Sequence, residues 1–286
     1  MSGRRGTLPP VGDVPLLFQR LVDDAALFPP GNAPMATAVP AHLRRPTEPF
    51  AALVGPFLCP ASRIAELRSE LPADASLAVG VIVDTGLGSV AEAVAAVRAD
   101  ERLELRMVEV HVPSDEDLVA GAARAMAQVP AEVTLYVELP RVAGWRAALE
   151  HLGAAGRGAK LRTGGLRAEL FPSAGELAAF VTACAEQQVP FKCTAGLHHA
   201  VRHTDPTTGF VHHGFLNLVV ATARAIRGGD VEGAVAEERP ERLAAEATAI
   251  DPPAAAATRA HFVSYGSCDV REPVADLLAL GLLTPP

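Results

Sequence analysis

Lysine is almost missing from this chain. Among 286 residues there are 25 basic ones, and all but Lys160 and Lys192 are arginine. Cysteine is also sparse: Cys59, Cys184, Cys193 and Cys268 are far apart and form no C-x-x-C pair, which argues against a zinc ribbon or a disulfide framework. No stretch approaches the ~18–20 apolar residues of a membrane span, and the opening MSGRRGTLPPVGDVPLLFQR lacks a signal-peptide core, so a cytoplasmic protein off the membrane is expected. There is no excess of positive charge. A formal charge of -8 sets nucleic acid and anionic membranes aside as main partners and leaves a small-molecule substrate, with a homo-oligomer left open. Without a G-x-S-x-G elbow or a Walker loop, serine-hydrolase and P-loop chemistry are disfavoured. VGVIVDTGLGS has Gly86 and Gly88 but not the third glycine of a dinucleotide loop. The single tryptophan, Trp145, reads as helix packing.

What is present is an apolar chain, 49% hydrophobic, in which short β-rich runs alternate with alanine-rich helical stretches. That alternation is the pattern of βα units around a parallel sheet. Strands are expected at 25–28, 52–58, 77–83, 105–112, 133–139, 159–163, 190–195 and 261–265. Ser173 with Glu176 forms a capping box, Ser114 with Asp117 precedes a second helix, and Ser62 precedes a third. Eight strands of this kind predict an α/β fold, a single-domain (β/α)8 TIM barrel over residues 1–286. Residues 1–12 are expected to be disordered. Residues 198–259 are too long for one βα unit and are expected to be an insertion at the rim after strand seven, with helices at 214–227 and 231–247, the latter broken near Pro240.

Strand alternation assigns faces, because residues two apart point the same way. It groups Lys160 with Arg162, Lys192 with Thr194, Glu109 with His111, and Tyr136 with Glu138, each pair inward near the end of a strand where barrel enzymes keep their chemistry. Asp84 closes strand three as a further inward carboxylate, whereas Asp23 and Asp24 read as structural. An amine can lose its proton and attack a carbonyl to form an imine, which a guanidinium cannot. At an ordinary pKa near 10.4 little free amine exists at neutral pH, so an imine-forming lysine is expected to be depressed by desolvation or by a nearby cation. Arg162 and Lys192 are the candidates for that cation, with Glu109 and Glu138 as general acid and base. A purely structural reading of the same residues pairs both lysines with Glu109 and Glu138 in a buried charge network.

AKLRTGG, FKCTAGL and SYGSCD, at the ends of strands six, seven and eight, resemble the strand ends of class I, Schiff-base, deoxyribose-phosphate-aldolase-type barrels. The likeness is limited to the C-terminal half. It implies a lyase with Lys160 as the imine-forming residue and Lys192 as its pKa-lowering neighbour. It also implies anion cradles around Gly164, Gly196 and Gly266 with Ser267. Glu109 stands where that family has an aspartate, and Arg162 and the histidine-rich insertion have no counterpart in it. No cofactor is expected on this reading.

Five of the nine histidines, His198, His199, His203, His212 and His213, fall within sixteen residues after strand seven. The turn TDPTTGF would fold them into a hairpin-like flap over Lys192. Arg162, His111, Thr194, His198 and His199, with the glycine-rich ends at Gly196, Gly266 and Ser267, are expected to contact substrate. His198 and His199 with Glu109, His111 and Glu138 form an alternative reading, a divalent-metal site of a hydrolase, isomerase or lyase, although adjacent histidines on an extended segment would point opposite ways. A third reading is a barrel without catalysis, which a filled mouth would favour.

Overall fold

The computed structural model describes residues 14–285, so the expectation of disorder over 1–12 lies outside the described residues. Strands β1 (Val22–Asp24), β2 (Val54–Pro60), β3 (Leu77–Val83), β4 (Leu103–His111), β5 (Leu135–Glu138), β6 (Gly158–Arg162) and β7 (Phe191–Thr194) pair in parallel, each with the next in the chain. A two-stranded hairpin follows, β8 (His203–Thr204) and β9 (Val211–His212), and then β10 (Phe262–Ser267), which pairs with β7 and β1 and closes the barrel. The chain is a single-domain (β/α)8 barrel. Six helices fill the connections from β1 to β7: α1 (Met35–Arg44), α2 (Ile64–Glu70), α3 (Val90–Arg98), α4 (Leu118–Gln128), α5 (Trp145–Ala154) and α6 (Ala174–Glu186). No helix among the described residues is long and apolar enough to cross a membrane.

The main apolar core lies between the barrel and its helices, where the outward residues of β3, Leu77, Val79, Val81 and Val83, meet Val90, Val94 and Val97 of α3. Burying both faces of each strand explains the near-continuous apolar runs. Inside the barrel a second, small cluster of Ala25, Leu58, Met107 and Tyr136 is packed by Phe28, Ile82 and Val263. Beside it the interior is polar, and much of it charged.

Three local expectations are corrected. The first strand is Val22–Asp24, and Ala25–Phe28 forms the turn after it, in which Phe28 N–H bonds to the Ala25 carbonyl at 2.9 Å. Helix α4 is capped by Asp117, whose carboxylate accepts from Ala120 N–H, so Ser114 lies outside it. Asp84 is exposed and accepts from Ser62 N (3.0 Å) and Ser62 Oγ (2.5 Å), which pins a turn rather than lining the barrel. The capping box of Ser173 and Glu176 is present, and Trp145 packs against Phe180.

Residues 198–259 divide between two places. The hairpin lies at the mouth, but α7 (Phe215–Ile226) is an outer helix of the barrel, packed between α6 and β10. Its residues Phe215 to Ala223 are all buried, so it needs cover on its outer side as well. α8 (Val231–Ala236), α9 (Pro240–Thr248) and α10 (Pro252–His261) supply that cover, and α11 (Arg271–Ala279) follows β10.

Gly158 shows how the interior is fitted. A Cβ there would run into the ring of Tyr136, which crosses the barrel beside it. Gly158→Ala is therefore expected to lower stability by about 1–3 kcal/mol. Gly88→Ala, whose methyl group would meet open space, should leave it within about 0.5 kcal/mol. Urea denaturation of the two variants checks this.

Candidate active site

Strand register builds the site. Glu138 of β5 lies opposite Lys160 of β6, Lys160 opposite Lys192 of β7, and Lys192 opposite Ser264 of β10, so one ring of inward positions carries a carboxylate, two ammonium groups and a hydroxyl. Arg162, Thr194 and Gly266 form the next ring, toward the mouth.

Glu109 joins the two amines. Its Oε2 lies 2.5 Å from Lys160 Nζ, and its Oε1 accepts from Lys192 Nζ. Lys192 continues to Asp23 (2.6 Å), which in turn accepts from Ser264 Oγ (2.7 Å). Lys160 continues to Glu138 (3.0 Å), whose other oxygen accepts from Arg162 Nε (3.1 Å). The result is one chain of alternating charge: Asp23, Lys192, Glu109, Lys160, Glu138, Arg162. Three acids balance three bases.

Depth separates the two lysines. Lys192 is 1% exposed and sealed in, with Met107 Sδ at 3.0 Å and the Tyr136 ring centroid at 5.3 Å. Lys160, 4% exposed, forms part of the floor of an open cleft of about 1390 Å³ that also meets Glu109, Glu138, His111, Arg162, Thr194, Gly196 and Gly266. Small-molecule sites usually measure ~300–1,000 Å³, so the mouth is not filled.

The pKa directions reverse the expectation for Lys160. Burial alone would pull its ammonium down, but Glu109 and Glu138 outweigh burial and hold it above its ordinary value. Lys192 is likewise raised, against burial, by Asp23 and Glu109. At an effective dielectric of ~20 a pair of unit charges ~4 Å apart gains about 4 kcal/mol, and each ammonium has two such partners. Burial would push Glu109 up, yet Lys160 and Lys192 bring it down to about 2. Glu138 is lowered by Lys160 and Arg162 against its burial, whereas burial wins at Asp23 and raises it. Lys160 thus rests as an ammonium, because Lys192 acts on it through an intervening carboxylate instead of facing it directly.

Asp23, Ser264 and Met107 are the members of this network that sequence reading missed. Asp23 was readable only as a strand-end residue, and Met107 only as one apolar residue in an apolar run. Ser267 is not in the cleft: it is buried, and its Oγ donates to the Asp269 carbonyl at 2.9 Å. Gly164 and Gly196 are required by close packing, since a Cβ on Gly164 would come within 2.8 Å of Gly196 Cα, and Gly196 has φ +76°.

The hairpin forms one wall of the cleft. His203 and His212 face each other across it with ring centroids 5.4 Å apart, His199 meets His203 at 5.1 Å, and Phe171 meets His212 at 4.7 Å. His213 points the other way and is fully buried, its Nε2 donating to the Pro172 carbonyl at 2.7 Å and its Nδ1 accepting from Arg202. Burial first, then the Arg202 charge, brings its pKa down to about 4 against the pull of that carbonyl. His198 and His199 both line the cleft, because positive φ at Ala195 and Gly196 breaks the strand and its alternation. Their Nδ1 atoms lie 3.0 Å from Glu272 and 3.2 Å from Asp276, a residue of α11, not near Glu109 or Glu138. His111 Nδ1 is 3.8 Å from Glu138. The ligand set His198, His199, Glu109, His111 and Glu138 is therefore not brought together, and among the described residues no three metal-ligating side chains converge.

Fold and site together define a (β/α)8 barrel with a buried, charge-balanced lysine–carboxylate network under its C-terminal mouth. Comparison of the chain with protein-family models, curated proteins and solved structures found no match.

Two outcomes follow. Lys192→Met strands Asp23 and Glu109 without their shared cation and should cost about 3–5 kcal/mol in urea denaturation, part of it recovered by adding Asp23→Asn. Stability should also depend on pH at both ends. Glu109, lowered from 4.5 to about 2, contributes fully above pH 4.5 and loses its contribution as pH falls toward 2. Lys160, raised above 10.5, contributes fully below that pH and loses it as pH rises through its folded value. Glu109→Gln should flatten the acid limb of a stability–pH profile.

Proposed function

We propose that the protein is a lyase of the class I aldolase type, in which Lys160 forms an imine with a small carbonyl compound and a carbon–carbon bond next to that carbonyl is cleaved or made. The single observation that carries this reading is the clamping of the one cleft-facing lysine between two carboxylates.

The raised pKa of Lys160 suits a cationic intermediate. A lysine iminium is itself a cation at the same nitrogen, so its formation leaves the charge balance of the network intact. Glu138 is the proton carrier: it bonds Lys160 at 3.0 Å and lines the cleft. It takes a proton from the Lys160 ammonium, and the neutral amine adds to the carbonyl carbon. The proton held on Glu138 and a second proton from the lysine nitrogen pass to the carbonyl oxygen, which leaves as water, and the protonated iminium remains. The bond between the α and β carbons then breaks with its electron pair moving toward the iminium nitrogen, while a base takes the proton of the β-hydroxyl. Glu109, whose two oxygens are each taken by an ammonium group, acts by positioning Lys160. An open cleft over a buried charge also supports catalysis over an inert barrel, because buried ion pairs bring little stability by themselves.

Borohydride reduction in the presence of an active carbonyl compound tests this directly. A reduced adduct on Lys160, absent in Lys160→Arg, is expected, and its yield should rise with pH because the resting amine is protonated. Glu138→Gln should lower kcat ~10²–10⁴-fold. An active protein that gives no Lys160 adduct rules the reading out.

A further inference from the structure

We propose that Arg162 and Thr194 form a carboxylate subsite beside Lys160, so that the carbonyl compound is a 2-oxo acid. This inference rests on the imine reading for its chemistry but on separate residues for its recognition.

Arg162 lies two residues beyond Lys160 on the same face of β6, about 6.6 Å farther toward the mouth. One carboxylate, Glu138, touches both: Lys160 Nζ at 3.0 Å through one oxygen and Arg162 Nε at 3.1 Å through the other. That contact uses one edge of the guanidinium. Its two terminal nitrogens have no hydrogen-bond partner among the described residues, and the side chain, 45% exposed, borders the cleft. A planar fork with its outer edge free is the donor set that binds a carboxylate in two places.

Thr194 stands opposite Arg162 in register on β7, where neighbouring strands run about 4.8 Å apart. Its side chain also borders the cleft, and its hydroxyl makes no hydrogen bond among the described residues. It is a second donor for the same anion. Of the two further arginines that line the cleft, Arg141 is already bonded to Glu176 and to the Glu169 carbonyl, and Arg167 lies on the segment after β6, outside the ring of strand-end positions.

Reach selects the substrate. The imine carbon is bonded to Lys160 Nζ, and Arg162 Nε lies on the other side of the Glu138 carboxylate, which stands 3.0 Å from the one nitrogen and 3.1 Å from the other. A carboxylate on the carbon adjacent to the carbonyl, with an N–H···O distance of about 2.9 Å, spans that gap. In the covalent step the Lys160 nitrogen bonds to C2, the C2 oxygen leaves as water, and the carboxylate at C1 is unchanged.

Oxamate, a carboxylate beside a carbonyl that does not form an imine, separates the subsite from the imine. Calorimetry is expected to show oxamate binding to the wild-type protein, weakened at least ~10-fold in Arg162→Leu and in Arg162→Lys, which keeps the charge without the fork. In borohydride trapping, pyruvate should saturate Lys160 at a ~10-fold lower concentration than methyl pyruvate, and Arg162→Leu should erase that difference. Oxamate that fails to bind, or binds wild type and a folded Arg162→Leu alike, overturns the subsite. So does displacement of oxamate by lower concentrations of inorganic phosphate, which would make the anion a phosphate. Oxamate binding that depends on Arg162 with no Lys160 adduct from pyruvate or methyl pyruvate keeps the subsite and removes the imine.

Discussion

The carboxylate of Glu109 holds the inside of this barrel together. It accepts an ammonium on each oxygen, Lys192 from below and Lys160 from above, at a depth where neither charge could stand alone. Taking an ion out of water costs several kcal/mol, and the attraction between buried partners returns this only when each charge meets more than one opposite charge at close range. Here each ammonium has two carboxylates, and Glu109 has two ammonium groups. That mutual arrangement fixes the side chains of five different strands against one another.

The same arrangement explains why two lysines persist in a chain that otherwise uses arginine. Lys192 is enclosed by Asp23, Glu109, the Met107 sulfur and the Tyr136 ring. A compact ammonium with three donors is matched by two carboxylate oxygens and a sulfur, whereas a planar guanidinium with five donors would leave several N–H groups buried without acceptors. At Lys160 the bulk argument is weaker, because the cleft is open beside it, and the chemical argument is stronger. Under the proposed imine chemistry, only an amine could exchange its proton with Glu138 and keep a positive charge on nitrogen after reacting. Arg162, at the rim, faces no such limit and keeps a fork.

Period-two alternation was enough to name Glu109, Glu138, Lys160, Lys192, Arg162 and Thr194 as inward residues, because each sits on a strand of four or more residues with a clear apolar partner set. It failed at β1. A three-residue strand reading Val-Asp-Asp offers no alternation, and the apolar run after it is the better strand by composition, so Asp23 went unrecognised as the far end of the network. Alternation also failed after β7, where left-handed residues at Ala195 and Gly196 turn both His198 and His199 toward the cleft. The pKa of Lys160 came out in the opposite direction for a related reason. Sharing a face says that two cations are near each other, but it does not say that a carboxylate lies between them. That depends on barrel closure, which brings β4 and β7 side chains together across the interior.

The hairpin gives the cleft a direction. His213 anchors its base through Pro172 and Arg202, while His203 and His212 direct Nδ1 at the carbonyls of Val201 and Gly196, at 3.0 and 3.3 Å. A carbonyl oxygen only accepts, so in the neutral rings Nδ1 carries the hydrogen and Nε2 keeps a lone pair. The carboxylates of Glu272 and Asp276 impose the same tautomer on neutral His198 and His199. Where the rings are neutral, this wall of the cleft offers hydrogen-bond acceptors set among aromatic faces, and the floor near β6 and β7 carries the donors Lys160, Arg162 and Thr194.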